Sequence, residues 1–153
     1  MNYRLFIPEE FEDLYAVEEV CFEPPHRFGR TYMRQLVGWP DAATWIAAEN
    51  DSIIGFAIVE WASEVAGIVA YIQTIEVLPE ERGRGIGREL LRRIEGSANA
   101  EGAIDIWLHV NADNVGAIAL YQGSGYKYAG RKEHYYGRGK AAEIYIKNLK
   151  PVE

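Results

Sequence analysis

The sequence predicts a mixed α/β domain whose elements follow the order β-α-α-β-β-β-α-β-α-β-β. Three observations carry that reading. Residues 44–77 hold three extended segments separated by turn residues, the pattern of antiparallel hairpins. Residues 85–100 carry apolar side chains at helical spacing and lie between extended segments, as in a βαβ unit. Ile104–Val110 is largely apolar, as expected of a strand covered on both faces. Hairpins leading into βαβ units give one sheet with antiparallel and parallel pairs. A length of 153 residues matches one domain, and no repeat or Gly/Ser linker divides it, so residues 1–153 read as a single unit.

Each element has its own local cause. Tyr3–Ile7 alternates as a short strand, and Pro8 supplies a first helical position. Phe11, Leu14, Tyr15, Val17 and Cys21 recur at helical spacing, giving an amphipathic helix over Pro8–Phe22 with Cys21 in its core-facing stripe. Glu23-Pro24-Pro25-His26 ends it, because paired prolines cannot continue a helix. A second short helix spans Thr31–Val37. Thr44–Glu49 and Ile53–Trp61 flank the turn Asn50-Asp51-Ser52, and Ile68–Val77 is a third strand closed by Pro79. Gly85–Ala100 places Ile86, Leu90, Leu91 and Ile94 on one side, a helix packed on the sheet. Asn114–Ser124 is a helix ended by Gly125, and Tyr126–Tyr136 and Ala142–Leu149 form a closing pair of strands.

Composition narrows the class of function. Sixteen Lys and Arg stand against 23 Asp and Glu, a net charge of −7. That balance argues against nucleic acid as a partner, since such binding neutralises phosphates with a basic face. It suits a basic partner such as an amine or a lysine-rich peptide, and it also serves simply to keep a small domain soluble. No apolar run reaches the roughly 18–20 residues of a membrane span, and Met1–Ile7 is not a signal peptide, so no membrane is expected and the cytoplasm is the expected compartment. The lone Cys21 excludes a disulfide framework and a cysteine zinc site, and no metal is expected. Monomer and homodimer both fit.

The most informative segment is Ile75-Glu76-Val77-Leu78-Pro79-Glu80-Glu81-Arg82-Gly83-Arg84-Gly85-Ile86-Gly87-Arg88, a strand, a tight turn and a helix start. Alternating glycines let the backbone approach a ligand without Cβ obstruction. The free N–H groups and positive dipole end of the helix then favour a pyrophosphate, with Arg82, Arg84 and Arg88 as further donors. A Walker A loop would need Gly-Lys-Ser/Thr, which is missing. A dinucleotide fingerprint would need G-x-G-x-x-G after the first strand, whereas the spacing here is G-x-G-x-G in mid-chain.

Arg82-Gly83-Arg84-Gly85-Ile86-Gly87 resembles the coenzyme A loop Arg/Gln-x-x-Gly-x-Gly/Ala of the GCN5-related N-acetyltransferase (GNAT) superfamily. Asn114 through Tyr126 resembles its pattern N-x-x-A-x-x-L-Y-x-x-x-G-F, with Asn114, Ala117, Leu120, Tyr121 and Gly125 in register. His134-Tyr135-Tyr136 resembles the Tyr-Tyr pair of the branch acting on protein N-termini, which includes bacterial RimI-like enzymes and eukaryotic N-α-acetyltransferases. The resemblance covers about Tyr3 to Leu149 and is strongest over Tyr71–Tyr136. It implies a GNAT fold with splayed central strands and acetyl-CoA as coenzyme. It further implies an acetyl-pantetheine arm on the backbone of Ile75, Glu76 and Val77, the pyrophosphate at Gly83–Arg88, Asn114 against the coenzyme, and Tyr121 beside its sulfur. Bacterial members carry Leu-Glu-Val where this chain has Leu108-His109-Val110; a eukaryotic branch has Leu-His-Val and pairs that His through water with a Tyr, here Tyr71.

The chemistry asked of such a site is a neutral amine attacking a thioester. An α-amine with pKa near 8 is neutral about one time in ten at pH 7, a lysine amine roughly once in 2,500, so deprotonation costs about 1.4 and about 4.6 kcal/mol respectively. An imidazole suits the α-amine, which makes His109 the candidate base with Tyr71 as its partner and Glu76 as the alternative. Tyr121 is the candidate proton donor to the departing thiolate, and a backbone N–H near Val77 would meet the oxyanion. Phe22, Pro24, Pro25 and His26, with Tyr135 and Tyr136 opposite, are candidate walls for the acceptor. The expected acceptor is the N-terminal amine of a protein or peptide. Its rivals are a small amine (polyamine, amino acid or aminoglycoside), which an acidic pocket would favour, and an acyl-CoA-sensing module without turnover.

Overall fold

The computed structural model describes residues 1–149, so the last four residues of the expected 1–153 unit lie outside the described residues. Seven strands form one sheet in the order β1-β2-β3-β4-β5-β7-β6. They are β1 (Asn2–Leu5), β2 (Ala42–Glu49), β3 (Ser52–Glu64), β4 (Gly67–Val77), β5 (Ala103–Asn111), β6 (Lys127–Lys132) and β7 (Ala142–Asn148). The helices are α1 (Phe11–Cys21), α2 (Arg30–Gly38), α3 (Ile86–Ala100) and α4 (Val115–Gly123). Only β4 and β5 run parallel; every other neighbouring pair is antiparallel. The element order and the mixed sheet match the expectation.

Two boundaries differ from the sequence reading. Pro8–Glu10 form a separate 3-10 turn before α1, held by a paired contact of Arg4 with Glu10 at 2.7 Å. The stretch Tyr126–Tyr136 is not one strand, because β6 stops at Lys132. Within this stretch His134 takes a left-handed φ of 57°, which breaks the extended chain, and the Gly139 N–H donates to His134 Nδ1 at 2.7 Å. Tyr135 and Tyr136 therefore leave the sheet in a loop.

Both faces of the sheet are covered. On one, Leu90, Leu91 and Ile94 of α3 pack with Ile72, Ile106 and Leu108; on the other, Leu14 of α1 and Met33 of α2 pack with Ile46, Phe56 and Ile58. Each such side chain contributes roughly 1.5–3 kcal/mol of burial. β5 is not dry on both faces as expected: Ile106, Leu108 and Val110 are buried, while Trp107 and His109 between them are only half-buried and face a cleft.

The parallel rungs run from Ile68 opposite Ala103 to Tyr71 opposite Trp107 and then stop. Beyond them β4 keeps its bonds to β3 and β5 its bonds to β7, so the two central strands fork. Gly55 of β3 sits beside this divergence, where a Cβ would lie 2.7 Å from the Glu76 carbonyl oxygen. No bulkier residue fits there without moving the strand.

Candidate active site

Register places a row of side chains across the cleft floor at the base of the fork. Glu60 of β3 is opposite Tyr71 of β4, which is opposite Trp107 of β5. Directly paired strand residues point to the same face, so these three side chains are neighbours, and His109 joins them two residues along β5. The cleft they line has a volume of about 520 Å³.

Tyr71 and His109 form the central pair. The Tyr71 hydroxyl lies 2.9 Å from His109 Nδ1, a direct hydrogen bond where the resemblance implies a bridging water. The Tyr135 ring stacks on the imidazole with centroids 4.4 Å apart at 11°, and Trp107 meets it edge-on at 5.1 Å. Nε2 is buried and has no hydrogen-bond partner among the described residues. Burial, and then the charge of Lys132, lowers the His109 pKa below its ordinary 6.5 and keeps the ring neutral at pH 7. Burial first, then the neighbouring Tyr135 and Tyr136, raises that of Tyr71, so its phenol stays protonated.

The glycine turn lies at the open end of the fork. Gly83 (φ +80°) and Gly85 (φ +82°) are left-handed, and a Cβ at either would point into open space, so neither glycine is explained by crowding inside the protein. The first α-helical bond of α3 is Glu89 N–H to Gly85 C=O at 3.1 Å, which leaves the N–H groups of Ile86, Gly87 and Arg88 ahead of the ladder. At Gly87 a Cβ would meet Leu120 and Val77 only at ordinary contact distances of 3.5 and 3.9 Å, so this position is not confined to glycine by packing. The residues present thus fit a diphosphate. The arginines differ from one another: Arg84 is engaged by Glu49 (2.7 Å) and Glu81, and Arg82 donates to the Val77 carbonyl at 3.0 Å. Only Arg88 of the three has no side-chain partner among the described residues.

Tyr121 of α4 is buried edge-on against Tyr126, and burial raises its pKa so that the hydroxyl holds its proton. Asn114 caps α4, its Oδ1 accepting the Ala117 N–H at 3.1 Å, so helix capping alone occupies that oxygen. Glu76 is 2% exposed and lies under α1 rather than on the cleft floor. There it faces the Glu18 carboxyl and accepts from the Thr74 hydroxyl at 2.9 Å, while Oε1 of each glutamate is buried with no hydrogen-bond partner among the described residues. Burial, then the Glu18 carboxyl, pushes the Glu76 pKa well above the usual range, so its side chain is a protonated strut and does not face an arriving amine. Cys21 is half-buried rather than core, with Sγ 3.6 Å from the Val77 carbonyl, and burial raises its thiol pKa to about 11.

Of the candidate acceptor walls, His26 and the tyrosine pair come together: His26 meets Tyr136 edge-on at 6.2 Å, and Tyr136 meets Tyr135 at 4.9 Å and 86°. Phe22, Pro24 and Pro25 lie in the same loop, at its partly or fully exposed surface. That loop is fixed by Glu18, whose Oε2 accepts the Phe28 N–H at 3.1 Å, and by the Tyr15 hydroxyl donating to the Phe28 carbonyl at 2.7 Å. Sequence reading missed Glu18, Glu60 and Trp107. Glu18 left a signal, a carboxylate four residues after Leu14 in the apolar stripe of α1.

A mixed sheet forked beside a glycine-rich helix start defines the N-acetyltransferase class of α/β domain. The chain belongs to the acetyltransferase (GNAT) family, whose sequence profile matches residues 11–126. It is 36% identical over 104 residues to streptothricin acetyltransferase of Streptomyces lavendulae, covering 67% of this chain and 53% of that protein. It is 31% identical over 103 residues to the [ribosomal protein bS18]-alanine N-acetyltransferase of Salmonella typhimurium, covering 67% of each. The matched stretch thus spans from about half to two thirds of these relatives. Among solved structures, Arabidopsis thaliana NAA60 in complex with a bisubstrate analogue superposes with a TM-score of 0.86 at 22% identity over 99% of both chains. The same protein in complex with acetyl-CoA gives 0.85 at 21%, over 97% of this chain and 98% of that one.

Proposed function

We propose that this chain is an acetyl-CoA-dependent N-acetyltransferase whose acceptor is the N-terminal α-amine of a protein or peptide. One observation carries the reading: a neutral Tyr71–His109 pair, bonded at 2.9 Å, stands at the base of the fork under the Tyr135 ring. Bound with its diphosphate at Gly83–Arg88 and its arm along Ile75–Val77, acetyl-CoA supplies the activated acetyl group. The chain's own residues manage the proton. Because Nε2 is buried, the cleft reaches His109 through Tyr71: the phenol donates to Nδ1, and its oxygen accepts the proton that the amine gives up. Tyr121 holds a proton at Oη, available to a leaving group. Tyr135, Tyr136 and His26 narrow the cleft around a slender acceptor.

A small cationic amine is the second reading, favoured by the carboxylates Asp41, Glu60 and Glu64 in the cleft lining. A module without turnover has no use for the Tyr71–His109 pair. The reading takes the cytoplasm as its compartment; no helix among the described residues is long and apolar enough to cross a membrane. Thiol release from acetyl-CoA, followed across N-terminal peptides, internal-lysine peptides and spermidine, tests the proposal. Release with α-amine peptides above the others supports it; release with spermidine alone, or with none, overturns it.

A further inference from the structure

We infer that the cleft selects acceptors carrying Lys or Arg in the first few residues after the reacting amine. This rests on the peptide reading above and names its substrate class. Glu60, Ala62 and Glu64 alternate along β3, so all three point to the face that carries Tyr71 and Trp107, and Asp41 closes the same cleft from the β2 side. None of the three carboxylates has a salt bridge among the described residues. Glu60 accepts a hydrogen bond from the Gln73 amide at 2.7 Å, which fixes its position.

Two observations independent of the charges make this cleft a receptor for a chain rather than a solvated acidic edge. His109 is in its wall, and so are three further aromatic residues: Trp39, Trp107 and Tyr135. Trp39 is 54% exposed, a large apolar surface beside Asp41. Indole faces next to carboxylates accept the methylene stem and the charged head of Lys or Arg together.

Spacing sets where the cations fall. Glu60 is the direct neighbour of Tyr71, so it faces the residue next to the reacting amine. Glu64 lies four residues further along β3, roughly 13 Å away, the reach of about four residues of extended peptide. The net charge of −7 steers such a segment inward. A single α-amine needs one counter-charge at most, so three unpaired carboxylates call for further cations on the same molecule.

The test compares hexapeptides of one sequence frame with Lys, neutral or Glu residues at positions two to four, with spermidine alongside. The expected result is a kcat/KM at least tenfold higher for the Lys peptide than for the neutral one, carried by KM and shrinking as salt rises. Glu60→Gln combined with Glu64→Gln is expected to bring that ratio within about threefold, and Glu64→Lys to move preference toward the Glu peptide. Equal rates for all peptides, or a ratio insensitive to salt and to these substitutions, overturn the inference and leave the peptide reading standing. Turnover of spermidine with no peptide turned over overturns both.

Discussion

Tyr71 and Trp107 are the last residues to pair across β4 and β5, and their rings meet edge-on at 4.7 Å where the strands part. The hydroxyl of the first of them is also bonded to His109. The point at which the sheet opens and the point at which a proton can be taken up are therefore built from the same side chain.

Tyr71 and His109 should act as one unit. His109→Ala and Tyr71→Phe are each expected to lower kcat at least about tenfold, with the acetyl-CoA dissociation constant nearly unchanged. The double variant should be little worse than either alone, because each single change already breaks the relay. Steady-state kinetics and acetyl-CoA titration by calorimetry check this; multiplicative losses would mean that the two residues act separately.

The pH profile should carry the imprint of a depressed imidazole. Protonation of His109, expected below its ordinary 6.5, and protonation of the amine near pKa 8 each remove the reactive form. Log kcat/KM against pH is thus expected to rise with slope near two in the acid range and near one above it. In His109→Ala the slope should stay near one throughout. An unbroken slope of one in the unsubstituted protein would remove His109 as the acceptor of the proton.

Glu76 predicts how stability depends on pH. A carboxyl held protonated in the fold has its pKa raised above the unfolded value, so its favourable contribution is complete below the ordinary 4.5 and is lost as pH rises through the folded value. The protein should therefore unfold at lower urea as pH is raised across that window. Glu76→Gln, which cannot ionise, should flatten this loss. Urea midpoints from pH 5 to pH 9 for both proteins give the answer, and parallel curves would contradict the protonated strut.

Gly85 and Tyr121 separate binding from chemistry. Gly85→Val forces a β-branched residue into a φ of +82° at the head of α3 and should cost acetyl-CoA affinity at least tenfold. Tyr121→Phe removes a proton held at Oη, and it should slow acyl transfer in single-turnover measurements more than it weakens coenzyme binding. Equal losses in rate and affinity would make Tyr121 a packing residue only.

Local signals were readable and long-range register was not. The spacing of Ile86, Leu90, Leu91 and Ile94 announces α3 because burial on a sheet requires that period, and the glycines of the turn announce their own left-handed backbone. The route from Tyr126 to Tyr136 misleads because its aromatics favour extended chain, while the break comes from a left-handed His134 that no neighbouring residue advertises. Glu60 cannot be placed beside Tyr71 without the irregularity between Ile58 and Val59, which shifts the β3–β4 pairing. His109 was legible as a candidate, yet the ring stacked upon it comes from a loop the sequence did not separate from its strand.

The fork leaves a run of main-chain amides and carbonyls on β4 and β5 without each other, a seam in an otherwise continuous ladder. A guest lying in that seam restores the ladder as an inserted strand would, and anything that binds the folded form alone holds off unfolding, by about 2.7 kcal/mol at a hundredfold excess over its dissociation constant. Amide hydrogens of Ile75 and Val77 would then exchange with solvent most slowly in the loaded protein. Its melting point becomes a gauge of how much acyl carrier surrounds it.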